Sequence, residues 1–427
     1  MIMGSQRGKR CFFLSKVVLV GLIIFVLNAC GGGGGNASLG GGASTTDITP
    51  TAFTFTDQTG VVESTVITSA AITVMGINSS AAISITGGTY SVAGAAYTSS
   101  TGTVTNGQSV VVRHTSSASA STTTNTVLTI GGVSATFSST TAGVTYSTAN
   151  VYCDLSELIY NSDESVNTNS DYSWVCNTQN RLLSANGIPN HEVGTFPNAN
   201  NPNTISVQNI SETFTISPSV ISNSGTFARI VAYALNGIKF DPGTAGRCND
   251  AGSCSLAGGS SGSWSIEALG HDTFDFGDDM NHAHVQPTGA YHYHGIPERY
   301  LTKLAKGEAM TLVGWAVDGF PVYARYGYSV ADDSGSPIKI MEPTWRLKSS
   351  ADAGRPSTKN TDGSPIPLGA FTQDYEYVEG LGDLDRCNGR SGVTPEFPRG
   401  IYYYVVTDSF PYASRCLRGV FAAEGPP

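Results

Sequence analysis

Four histidines occupy thirteen residues, His282-Ala-His284 and His292-Tyr-His294, on either side of Val285-Gln-Pro-Thr-Gly-Ala-Tyr291. Imidazole is a good ligand for copper and zinc, so the question is whether the rings can meet. Histidines at i and i+2 of a strand project to one face. Pro287-Thr288-Gly289 suits a three-residue hairpin loop, with proline opening a type I turn and glycine in the left-handed position. That loop sets Gln286 against Ala290, His284 against His292 and His282 against His294, bringing all four rings to one face. Directly opposed side chains start about 5 Å apart at Cβ. A two-residue loop on Pro287-Thr288 would instead oppose His284 to Tyr291 and scatter the rings. The expected site is a copper or zinc centre on His284, His292 and His294, with His282 assisting. The competing reading is an aromatic ladder whose imidazoles hydrogen-bond buried carbonyls.

Carboxylates and a further histidine could complete or serve such a site: Asp279 beside Asp278 ahead of the first strand, Glu267 in Ser-Trp-Ser-Ile-Glu, Asp318 in Asp-Gly-Phe-Pro, and His191. Each has a simpler role in a turn or loop. Tyr291 and Tyr293 alternate with the histidines and should pack the hairpin onto a core. The chain shows no Gly-x-Ser-x-Gly elbow, P-loop, dinucleotide fingerprint or His-Glu-x-x-His. Whether the protein is an enzyme stays open, and no catalytic residue is assigned. A metal-dependent hydrolase or oxidase is one alternative; a non-enzymatic surface module binding glycan or peptide is another.

The elements that must position these residues fall into two β-rich regions. Residues 52–147 are rich in Ser, Thr, Val and Ile, almost free of charge and without cysteine. About seven short alternating runs, separated by Gly-Gly and Asn-Gly turns, predict a small immunoglobulin-like sandwich. It reads as a spacer with lone His114 on its surface. Residues 148–427 carry six of the seven histidines and six of the eight cysteines. They predict a larger β-rich, disulfide-containing domain with long loops. Sequence proximity suggests Cys153–Cys176, Cys248–Cys254 and Cys387–Cys416, among 15 possible pairings.

The first 30 residues carry Arg7, Lys9, Arg10 and Lys16, then an apolar run from Val17 to Leu27. That run is too short to span a bilayer, which needs about 20 residues. Leu27-Asn-Ala-Cys30 resembles a bacterial lipobox. The resemblance implies a signal peptide over 1–30, a lipid on Cys30, and anchorage in the cell envelope, at the outer membrane if the cell is Gram-negative. Residues 31–51 form a Gly/Ser/Thr-rich tether. Without the four basic residues the formal charge moves from −10 to −14. A chain so poor in basic patches is not expected to bind nucleic acid. Its expected partners are the membrane, through the lipid, and a glycan, peptide or envelope protein.

Ala290-Tyr-His-Tyr-His-Gly295 resembles the signature of the YHYH domain family, and its flanks are similar too: Asn281-His-Ala-His-Val-Gln-Pro-Thr-Gly and Val313-Gly-Trp-Ala-Val-Asp-Gly-Phe-Pro-Val-Tyr. The likeness runs from about Ser170 to Gly419. It implies no established activity and no fold. There is also an internal echo. Gly289-Ala-Tyr-His-Tyr-His resembles Gly400-Ile-Tyr-Tyr-Tyr-Val, which sets His292 against Tyr403 and His294 against Val405.

Overall fold

The structure, a computed structural model, describes residues 45–221, 224–257 and 262–421. The chain divides into two compact units, 1–46 and 47–427. The signal, Cys30 and most of the tether lie outside the described residues. Among those described the fold is almost all β, as expected, with one α-helix, Glu298–Leu304, and one 3-10 turn.

The alternating runs of the first region become a two-sheet sandwich. One sheet orders Gln58–Val61, Val133–Thr141, Thr123–Ile130, Ala81–Thr86 and Gly102–Val104; the other is centred on Ser109–Thr115. Period-two patterning sends Val110, Val112, Leu128, Ile130 and Phe137 inward, where they form a core. The end of the tether is already attached to this body, with Thr51 N–H donating to the Met75 carbonyl at 2.8 Å. His114 departs from the expected surface position. It is buried between the sheets, with Nδ1 2.7 Å from Thr126 Oγ1 and Nε2 2.6 Å from Ser139 Oγ. Burial depresses its pKa and keeps it neutral. The pair of hydroxyls that permits this inward position comes from two other strands.

The second region begins with a four-stranded antiparallel sheet, Asp154–Asn161, Thr168–Cys176, Asn180–Ala185 and Ile210–Thr215. Its inner face is docked by buried Trp174, whose Nε1–H donates to the Leu235 carbonyl at 2.8 Å. The candidate site belongs to an eight-stranded sheet. We number its strands β1 (Ala232–Ala234), β2 (Lys239–Phe240), β3 (Ala283–Val285), β4 (Tyr291–Tyr293), β5 (Thr311–Ala316), β6 (Pro321–Ala324), β7 (Gly389–Gly392) and β8 (Ile401–Val406). Their spatial order is β3-β4-β2-β1-β5-β6-β8-β7.

This order hides a duplication. Each half contributes a tight hairpin near the middle, β1–β2 or β5–β6, and a second hairpin at an edge, β3–β4 or β7–β8. The edge hairpin joins through a parallel pairing, β4 with β2 and β8 with β6. The registers correspond residue by residue. Ala232 faces Phe240 as Gly314 faces Val322, and Phe240 faces Tyr293 as Val322 faces Tyr404. In the edge hairpins His284 faces His292 as Arg390 faces Tyr403. Between the halves, Ala232 pairs with Ala316 and Ala234 with Gly314, which exchange under a twofold rotation, while Tyr233 and Trp315 pair at its centre. The central turns agree as well: Gly237 and Gly319 both have positive φ, and each donates to the alanine three residues earlier at 2.8 Å.

The core of this region lies around the sheet, with Tyr291, Tyr293, Trp315, Tyr323 and Tyr403 among its buried rings. The structure joins Cys153 to Cys176, Cys248 to Cys254 and Cys387 to Cys416. Three disulfides fit an oxidising, extracytoplasmic compartment.

Candidate metal centre

The three-residue loop fixes the register on which the site depends. Gln286 N–H donates to the Ala290 carbonyl at 2.9 Å, and Gly289 N–H returns to the Gln286 carbonyl at 2.8 Å. Gly289 has φ +82°, the left-handed conformation that terminates such a loop. His284 consequently opposes His292, and His294 follows on the same face. The ring centroids form a near-equilateral triangle with sides of 4.6, 4.5 and 4.7 Å. One ring nitrogen from each lies within 4.8 Å of the others, and all three residues are buried.

The chemistry of these nitrogens suits a cation. His284 Nδ1 is 2.6 Å from Asp278 Oδ1. A carboxylate accepts there, so Nδ1 carries the proton and Nε2 presents its lone pair inward, an outer-shell arrangement common around metal-bound histidine. His284 Nε2 lies 3.3 Å from His294 Nε2. A tetrahedral ion with Zn–N bonds of about 2.0–2.1 Å holds its nitrogens about 3.3 Å apart, so this pair already has a ligand spacing. His294 Nδ1 has no well-formed hydrogen bond, the backbone of Pro242 offering only a weak one. His292 Nδ1 has only a long contact, 3.4 Å, with the Ala290 carbonyl. Burial drives the His292 pKa well down and that of His294 to about 3, with the neighbouring rings adding to the effect. Both are therefore neutral at pH 7, the form that binds metal.

His282 does not join them, contrary to the expected fourth ligand. Its φ of +52° reverses the chain just before β3, breaking the alternation. Its carbonyl still accepts from His294 N–H at 2.8 Å. The ring turns away, with Nδ1 2.8 Å from the Ile296 carbonyl.

The other candidates have structural partners. Asp279 ties the β3 turn together, accepting from Gly194 N–H at 2.9 Å, Asn281 N–H at 2.8 Å and the Tyr291 hydroxyl at 2.7 Å. Its counterpart in the second half is Asp385, which accepts from the Tyr402 hydroxyl at 3.0 Å. Glu267 is buried in an ion pair with Arg415, 2.6 Å away, and bonds the Thr372 hydroxyl. Asp318 is buried at the second central turn. Burial lifts its pKa to about 6 although the Tyr404 hydroxyl donates to it at 2.6 Å.

His191 is buried on the opposite side of β4. Its Nδ1 donates to the Glu192 carbonyl at 2.9 Å, so Nε2 accepts from the Tyr293 hydroxyl at 2.6 Å. That proton count explains a difference between the halves. The Tyr293 proton is committed to His191, so its second partner must be a donor, and Asn236 donates at 3.0 Å. Tyr404 instead accepts from Arg418 N–H at 2.6 Å and gives its proton to Asp318, which occupies the position equivalent to Asn236.

Asp241 escaped the sequence reading. It continues β2, which runs parallel to β4 with Lys239 beside His292, and it is buried. Gln286 Nε2 donates to it at 3.1 Å, Lys239 Nζ lies 3.8 Å away, and His284 is among the groups that act on it electrostatically. The one signal was its alternation with Lys239. A parallel pairing across some fifty residues of chain leaves no local trace.

The fold and the buried cluster thus define a disulfide-linked, mainly β domain with a tri-histidine face. Residues 212–419 match the model of the YHYH protein family. The match starts later than the motif likeness, so His191 lies outside it although it packs on Tyr293 inside it. Comparison with curated proteins gave no match, and neither did comparison with solved structures.

Proposed function

We propose that this protein is a lipid-anchored, extracytoplasmic metal-binding protein, carrying copper or zinc on His284, His292 and His294. The observation that supports it most is the His284–His294 Nε2 separation of 3.3 Å, combined with the Asp278 contact that turns the His284 lone pair inward. A bound ion would supply a divalent or monovalent positive charge at the focus of the three rings. The chain's part is to keep the His292 and His294 imidazoles neutral by burial, orient His284 through Asp278, and exclude water with Phe276, which stacks on His284 at 5.7 Å. The sandwich and the tether serve as a spacer between a lipid on Cys30 and this domain.

Elemental analysis of mature protein purified without a histidine tag tests the reading. One copper or zinc per chain is expected, with loss in the H284A/H292A/H294A variant. Metal at background level after incubation with zinc and with copper would overturn it. Lipidation is tested separately by intact mass and membrane fractionation of wild type and Cys30→Ala.

A further inference from the structure

The twofold relation between the sheet halves gives the metal centre a counterpart at the opposite edge. His284, His292 and His294 correspond in register to Arg390, Tyr403 and Val405. The backbone around them is the same. His282 and Asn388 both take left-handed φ, +52° and +59°, and their carbonyls accept from His294 N–H and Val405 N–H at 2.8 and 2.9 Å. Asp279 N–H bonds the Ala283 carbonyl at 2.8 Å, as Asp385 N–H bonds that of Gly389 at 2.7 Å. What differs is the group that ties the two strands on this face.

In the second half that group is a built-in cation. Arg390 reaches across from β7, donating Nε–H to the Tyr403 hydroxyl at 2.6 Å and another N–H to the Tyr328 carbonyl. In the first half the same positions present imidazole lone pairs. With the His284 proton held by Asp278, the side-chain hydrogen bond that crosses between the histidines on that face is the long His284–His294 Nε2 pair at 3.3 Å, against the charge-assisted Arg390–Tyr403 bond at 2.6 Å between β7 and β8. Both strands of the first edge hairpin are three residues long, so few backbone bonds hold them.

We infer that the metal ion is a structural clamp for the β3–β4 edge, doing there what the Arg390 guanidinium does for β7–β8. This inference depends on the metal-binding reading above and assigns that metal its role: fastening an edge hairpin, not activating a substrate. The two edges are then equivalent solutions, one with a bound cation and one with a covalent one. Replacing the histidine set by its counterpart, H284R/H292Y/H294V, should substitute for the metal.

Hydrogen–deuterium exchange on the mature full-length chain separates these ideas. Wild type is loaded with zinc or copper, its metal content measured, and half of it stripped with EDTA. Stripping is expected to raise amide exchange in peptides covering 282–294 by at least tenfold and to leave 388–405 unchanged. The H284R/H292Y/H294V variant should bind no metal, keep protection in 282–294 and ignore EDTA. If wild type holds no metal, the metal-binding reading fails. If it holds metal and stripping leaves 282–294 as protected as before, or loosens both edges equally, the clamp alone is overturned. The wild-type comparison decides this even if the exchanged variant does not fold.

Discussion

Acidifying metal-free protein from pH 7 to pH 5 should cost it about 3 kcal/mol of folding stability, and the structure gives both sign and size. His191 and His294 are held by burial at pKa values of about 4 and about 3, against about 6.5 in the unfolded chain. Below pH 6.5 the unfolded state takes up protons that the folded state refuses. Their contribution is therefore complete above about pH 6.5 and drains away as pH falls toward the folded values. By pH 5 each has lost about 2 kcal/mol, about 4 together. Asp318 works the other way. Its pKa is raised to about 6, so its contribution is present below its unfolded pKa and lost as pH rises through about 6. It returns about 1 kcal/mol on the way down. His292, displaced in the same direction as His294, adds to the loss, while Asp241 and Asp279, raised by burial, add to the return. The assay is thermal unfolding in EDTA at the two pH values, where the loss should appear as a fall of several degrees at about 2–4 °C per kcal/mol. His191→Gln, which can still accept from Tyr293, should flatten the wild-type pH dependence by about 2 kcal/mol. A melting temperature that holds or rises at pH 5, or a variant as acid-sensitive as wild type, would refute the burial argument.

Three further outcomes follow from individual contacts. Asp278→Asn should weaken metal affinity about 10–100-fold by releasing the His284 ring; competition against a chromophoric chelator measures it, and unchanged affinity would remove Asp278 from the site. Tyr293→Phe should cost about 1–3 kcal/mol, because the buried His191 Nε2 loses its donor and Asn236 an acceptor; the denaturation midpoint reports it. Removing Cys387–Cys416, with a separation of 29, should cost about 3.6 kcal/mol against about 2.2 for Cys248–Cys254, with a separation of 6; paired serine variants compared by calorimetry would contradict the loop-entropy ordering if the short loop mattered more.

Local sequence determined the mainly β character and the register of the histidine hairpin. Both rest on interactions within a few residues: alternation along a strand, and a proline and a glycine placed where a three-residue loop requires them. For the same reason His284, His292 and His294 could be read as one face, and the echo around Tyr402-Tyr-Tyr404 was visible. Tertiary structure decided the rest. His282 also sat at strand spacing, but the hydrogen bonds that hold the Asp279 turn put it in the left-handed region and sent its ring to Ile296. His114, isolated in sequence, is drawn inside by hydroxyls from two other strands. Asp278 looked like any turn residue until the fold set it against His284, and Asp241 reached the histidines only through a parallel pairing of distant segments. The twofold relation of the halves is invisible to composition because its axis passes through a contact, Tyr233 against Trp315, formed only once the two halves pair. Short-range geometry is written in neighbouring residues; which neutral ring, carboxylate or guanidinium it meets depends on chain that arrives from elsewhere.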